Sequence, residues 1–103
     1  MRGENTVDFT NPYAGTDRKK LEGHPLAQAI RIDMAAELDA INLYMTHVDS
    51  VDDPVIKSMI EHIVEEEKEH FAEFEQILFR LDQLQLAKMD KAKQEIDERK
   101  KAA

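Results

Sequence analysis

Residues 54–81 read PVIKSMIEHIVEEEKEHFAEFEQILFRL. Steps of three and four through this stretch pick out Ile56, Ile60, Ile63, Glu67, His70, Phe74, Ile77 and Leu81, with Leu84 just beyond. That is the period of one helix face, and no strand-like alternation competes with it. Asp53 and Pro54 stand before the run as an N-cap and a first helical residue. The pattern predicts a helix from about Val55 to Leu86. Upstream, the same steps give Ala27, Ile30, Met34, Glu37, Ile41, Tyr44, Val48 and Val51. This helix starts at His24-Pro25 and runs to about Ser50 without a further proline or glycine. Heptad-like rows joined by the short Asp49–Pro54 segment predict an antiparallel helical hairpin.

Outward from the hairpin the signals change. Residues 1–23 hold Gly3, Asn5, Asn11, Pro12, Gly15 and Gly23 without a sustained period, and read as a flexible N-terminal arm. Residues 24–87 form the hairpin. Residues 88–103 alternate charges and read as a short, solvated C-terminal helix or tail, docked through Met89, Ala92 and Ile96. The expected fold class is therefore all-α. A chain of 103 residues buries only a modest core by itself, so a partner or a metal has a role to fill.

Composition excludes several functions. The 22 Asp and Glu against 14 Lys and Arg give a formal net charge of -8, which argues against a nucleic-acid partner and favours cations. The absence of cysteine excludes disulfides, zinc–thiolate sites and thiol catalysis. No apolar run approaches the roughly 20 residues that span a bilayer, and the N-terminus lacks the apolar stretch of a signal peptide. A soluble cytoplasmic protein with no membrane partner is expected.

Three row positions are wrong for a plain core: Glu37, Glu67 and His70. A carboxylate buried in an apolar row costs several kcal/mol unless something compensates it. Counted from Asp52, Glu37 lies 15 residues before and Glu67 15 residues after. At about 1.5 Å per residue both sit about 22 Å from the turn, level across the hairpin. His70 projects from the same face one turn on. A lone ExxH is weak in a chain this rich in glutamate; one on an apolar row, level with a facing glutamate, is far more specific.

Di-iron four-helix bundles use a Glu from each of two helices and Glu-x-x-His from each of the other two. This chain holds one of each, half the set, and a two-fold homodimer of hairpins completes it. Four carboxylates then balance two divalent ions, with two imidazoles finishing the shell. That donor set suits iron or manganese, and zinc would also bind. The shared ions would stabilise the dimer.

Blander readings compete. Glu37 could pair with a Lys or Arg, a slight helix rotation would put Glu67 in solvent, and a histidine like His70 often sits satisfied in a core. Tyr44 at a heptad position reads as core, and Asp39 as a solvated residue. His24, His47 and His62 fall off the row and read as surface; the methionines read as gap-filling. A second apolar set, Ile32, Ala35, Leu38 and Met45 with Val64, Phe71 and Leu78, either widens the core or marks interfaces beyond the dimer.

At these residues the sequence resembles the encapsulated ferritins, the ferritin-like cargo of encapsulin nanocompartments. The matching stretches are AELDAINLY at 36–44 and EEEKEH at 65–70, within a resemblance spanning Leu26 to Leu84. The resemblance implies that paired hairpins form a ferritin-like four-helix bundle and close into an annular decamer of five dimers. It implies a ferroxidase that oxidises Fe2+ to Fe3+ at an inter-subunit di-iron site, while an encapsulin shell stores the mineral around it. By the same resemblance Glu37, Glu67 and His70 are the catalytic metal ligands, Glu67 bridges the irons, and Tyr44 lies beside them. Asp39 matches one residue of a secondary cation site, whereas Ala36 stands where a second acid would be.

The resemblance implies that a separate cargo protein usually ends in a short apolar targeting peptide, and this sequence ends DERKKAA. For a member of this family that ending implies removal of such a peptide, fusion to a shell, or another mode of loading. Two rivals stand beside the ferroxidase: a non-catalytic helical adaptor, and a di-metal enzyme handling oxygen or peroxide.

Overall fold

The structure, a computed structural model, describes residues 20–103. The expected N-terminal arm lies, for residues 1–19, outside the described residues. The rest is all-α: α1 (Gly23–Ser50), α2 (Pro54–Leu81) and α3 (Gln83–Ala102), with no strand among the described residues. Glycine opens α1 because φ at Gly23 is +58°, a conformation that side chains disfavour. Asp53 caps α2 as its sequence promised: its Oδ1 accepts from the Val55 and Ile56 amides at 2.9 and 3.3 Å, and Pro54 needs no donor there.

α1 and α2 pack against each other along their length as a hairpin closed by Val51–Asp53. On α1 the inward row is the expected one. Ala27, Ile30 and Ile41 are buried, and Met34, Glu37, Tyr44, Val48 and Val51 are half-buried. Its densest packing is at the open end, where Ala27, Ile30 and Leu78 meet Leu26, Met34, Phe74 and Leu81.

On α2 the row is displaced from the expectation. Val64 and Leu78 are buried and Ile60, Glu67, Phe71, Phe74 and Leu81 half-buried, so these face α1. Ile56, Ile63 and Ile77, expected in the core, are exposed, as is Leu84 on α3. Both rows have a helical period and share Ile60, Glu67, Phe74 and Leu81, and a helix with two adjacent apolar rows does not itself say which one turns inward. Ile56, Ile63, His70 and Ile77 recur every seven residues as an apolar stripe facing out, interrupted by the histidine.

The helical run expected to reach Leu86 is interrupted at Asp82. This residue adopts φ −134° and ψ 91°, and its Oδ1 accepts from the Gln85 amide at 3.1 Å to cap α3. Its Oδ2 accepts from Arg31 of α1 at 2.7 Å. α3 therefore leaves the hairpin at a one-residue joint. It touches α2 near that joint, and everything beyond Met89 is exposed.

The result is a slab, 68 × 45 × 14 Å, with a radius of gyration of 19.4 Å. A compact chain of about 100 residues has a radius near 13 Å. A thickness of 14 Å is little more than one helix, whereas stable domains pack at least two layers. No helix among the described residues is long and apolar enough to cross a membrane.

Candidate metal centre

The hairpin brings Glu37, Glu67 and His70 together midway along its length. Ile30 and Leu78 pack on the open-end side, and Ile41 and Val64 are buried on the turn side. One donor atom from each of the three lies within 4.8 Å of the others, and no other such group of three occurs among the described residues. The Glu37 and Glu67 side chains are 19 % and 20 % exposed, and His70, on the outward stripe, 48 %. The two carboxylates thus sit inside the hairpin and the imidazole caps them from its edge.

The contacts among them are not hydrogen bonds. His70 Nδ1 lies 3.6 Å from Glu67 Oε2 and 3.9 Å from Glu37 Oε2, both beyond the usual N–H···O range. Glu37 Oε2 is buried with no partner. Among the described residues neither carboxylate pairs with a Lys or Arg, so the ordinary ion-pair reading of Glu37 is not met.

Two oxygens and a nitrogen that converge without bonding one another fit a shared cation. Donors about 2.0–2.2 Å from a first-row ion are roughly 3–4 Å apart from each other. The absence of thiolate keeps the set suited to iron or manganese, with zinc also able to bind. A lone pair of carboxylates and one imidazole leaves an ion's remaining positions to come from elsewhere.

The other predicted residues stand apart. Tyr44, one heptad along α1 from Glu37, is half-buried, its ring tilted against His47 with centroids 6.2 Å apart. Asp39 is exposed and outside the group. His24 and His62 are exposed, with His62 3.2 Å from Glu66. Sequence reading missed Glu73, which lines the cleft over the centre together with Glu37, His70, Phe74 and Ile77. Its only signal was its place one turn after His70.

An antiparallel helical hairpin presenting Glu from one helix and ExxH from the next defines the ferritin-like class. Comparison with known proteins narrows it. The family model described as ubiquinone biosynthesis protein COQ7 matches residues 24–92. An encapsulin nanocompartment cargo protein, EncC, of Myxococcus xanthus is 42 % identical over 76 % of this chain. A ferritin-like–encapsulin shell fusion protein of Pyrococcus furiosus is 31 % identical over 85 % of it. The matched stretches span 60 % and 26 % of those two proteins. The crystal structure of the encapsulated ferritin domain from Pyrococcus furiosus superposes with a TM-score of 0.77 at 31 % identity, covering 85 % of this chain and 90 % of that one. The chain belongs to the family that the COQ7 model describes and to the encapsulated ferritins.

Proposed function

We propose that two copies of this chain bring their site flanks together and oxidise Fe(II) at the centre they share. The orphaned Glu37 Oε2 carries the reading. A buried acceptor left without a donor costs about 1–3 kcal/mol, more when charged, and a cation supplied with a second copy's ligands removes that cost. Two features support the pairing: the one-layer slab, and the exposed Ile56, Ile63 and Ile77 running on either side of His70. The ferritin-like and COQ7 families, whose members are typically di-iron oxidoreductases, support iron as the metal.

In this reading Fe(II) is the substrate, and the acidic surface raises its local concentration. Glu37, Glu67 and His70 of each copy would together hold a pair of ions. Each ion gives up one electron, dioxygen is the acceptor, and Fe(III) passes on for storage. The protein's part is to fix the donors, balance the ions' charge and exclude bulk water with Phe74 and Ile77. The names of the relatives support an encapsulin shell as the surrounding partner, and the ring of five dimers that the sequence resemblance implies is the assembly we propose here.

Replacing Glu67 with Ala should abolish most ferrous oxidation, followed by ferric absorbance under air. A variant as fast as the parent would refute the site. The COQ7 match favours one second reading, oxygen or peroxide chemistry at the same two metals. Consumption of peroxide in preference to dioxygen would select it. An adaptor without metal would keep its oligomeric state in chelator and take up no ordered iron.

A further inference from the structure

The geometry of His70 says which of its nitrogens an ion would take. Nδ1 faces the two carboxylates, 3.6 Å from Glu67 Oε2 and 3.9 Å from Glu37 Oε2. Nε2 is therefore the nitrogen turned away from them, and in a neutral imidazole bound through Nδ1 it carries the proton. The His70 side chain is 48 % exposed, so in a single chain water can accept from that N–H. Closing a second copy over the centre removes the water, and the N–H then needs a protein acceptor or costs stability. The need is general: a histidine that binds metal almost always donates its other N–H to a carboxylate, a backbone carbonyl or an ordered water.

One residue is placed to supply the acceptor. Of the side chains lining the cleft over the centre, Glu37 and His70 already belong to the donor group, and Phe74 and Ile77 are apolar. Glu73 is the one that remains. It follows His70 by three residues, about 4.5 Å along α2 and about 60° around it. Helical side chains lean toward the N-terminus and cover the turn before their own Cα, which for Glu73 is the turn that holds His70. The neighbouring acids are committed or misdirected. Glu66 lies 3.2 Å from His62, and Glu69, adjacent to His70 in sequence, leaves α2 about 100° away from it. Glu73 is exposed, and no ion pair holds it among the described residues.

We infer that Glu73 is a positioning residue of this centre: with an ion on Nδ1 of His70, its carboxylate accepts the Nε2–H and fixes the ring. The inference rests on the metal reading proposed above and adds to it a residue outside the ligand set. In the single chain His70 contacts Glu37 and Glu67 rather than Glu73, and the exposed Glu73 side chain reaches the ring by turning about its own torsions. The hydrogen bond holds the imidazole in the tautomer whose Nδ1 is bare, sets the ring plane toward the two carboxylates, and makes Nδ1 a stronger donor. His70 is the ligand that needs this most. Glu37 and Glu67, 19 % and 20 % exposed, are confined by packing inside the hairpin, whereas the imidazole at its edge is free to turn.

Glu73→Ala and Glu73→Gln separate a hydrogen bond from a charge. Both remove the negative charge, but only glutamine keeps an oxygen that can accept the N–H. Mn(II) affinity is measured by calorimetry on the full chain without oxygen, with helix content checked by circular dichroism. Glu73→Ala should lose about 10–100-fold in affinity. Glu73→Gln should recover most of that loss, since a neutral acceptor is weaker but still in place. Both should keep the parent's helix signal, because the position is exposed and both residues suit a helix. Unchanged affinity in Glu73→Ala would make Glu73 a solvated acid, and equal losses in the two variants would make it a remote charge; either result overturns the proposal. Glu67→Ala is the control for the metal reading and should bind no Mn(II) tightly. Tight binding by Glu67→Ala would refute that reading itself, whereas its loss beside intact binding in Glu73→Ala would refute this inference alone.

Discussion

Glu37 shows how much a single carboxylate can say. Its row neighbours Met34 and Ile41 are half-buried and buried, and it takes the same inward place with one oxygen wholly covered and unbonded. Its cost without metal and its value with metal have opposite signs. Glu37→Gln removes the charge and keeps the shape. In chelator the variant should melt at or above the parent's temperature, because an uncompensated buried charge is gone. With Mn(II) it should gain much less than the parent, because the ion loses a charged donor. Thermal denaturation in the two conditions reads both, and equal gains would show that Glu37 holds no ion. At this scale the sequence was most legible: an acid in an apolar row, level with another across a turn, needs only helix geometry to be noticed. Glu73 was not legible, since an acid one turn past His70 looks like the many solvated glutamates around it until the cleft is seen.

Among the elements, local signals were read correctly and choices between equivalent faces were not. Asp53-Pro54 opens α2 where expected because both effects act within one turn. Removing that cap with Asp53→Ala should cost about 1 kcal/mol. At fixed metal and protein concentration this would appear as a midpoint roughly 4–8 °C lower in a thermal melt. On α2, Ile60, Glu67, Phe74 and Leu81 face inward as expected, and the row positions between them were misread by one residue. Val64 and Leu78, placed in the secondary set, are buried, and Ile63 and Ile77 are exposed. Periodicity describes each row alone, and the deciding fact is which row meets Ile30 and Ile41 of a helix far away in sequence. The break at Asp82 escaped for the same reason. Within its own neighbourhood, Asp82 is one of several polar residues, with Arg80, Gln83 and Gln85, set among leucines; its partner Arg31 is 51 positions away.

For the whole molecule, the exposed Ile56, Ile63 and Ile77 define what a partner must cover. Full burial of an isoleucine is worth about 1.5–3 kcal/mol, and a lysine there would instead bring a charge into the contact. Ile63 lies one heptad, about 10 Å, from His70 and outside the cleft over the centre. Ile63→Lys should therefore keep the helical circular dichroism signal while losing tight iron or manganese binding, measured by calorimetry. Metal affinity equal to the parent's would mean that one chain binds without its mate. A mutation that touches no ligand yet removes the metal is the signature of a centre assembled between chains.

The thinness of the slab has a kinetic consequence. A layer one helix deep has little interior beyond the seam between α1 and α2, so collapse of a single chain stops short of the native state. Acquiring structure and finding a mate then become one step, and renaturation should quicken as the protein is made more concentrated. A cell could regulate such a protein by dosage: below a threshold of synthesis, newly made chains would meet proteases before they met each other.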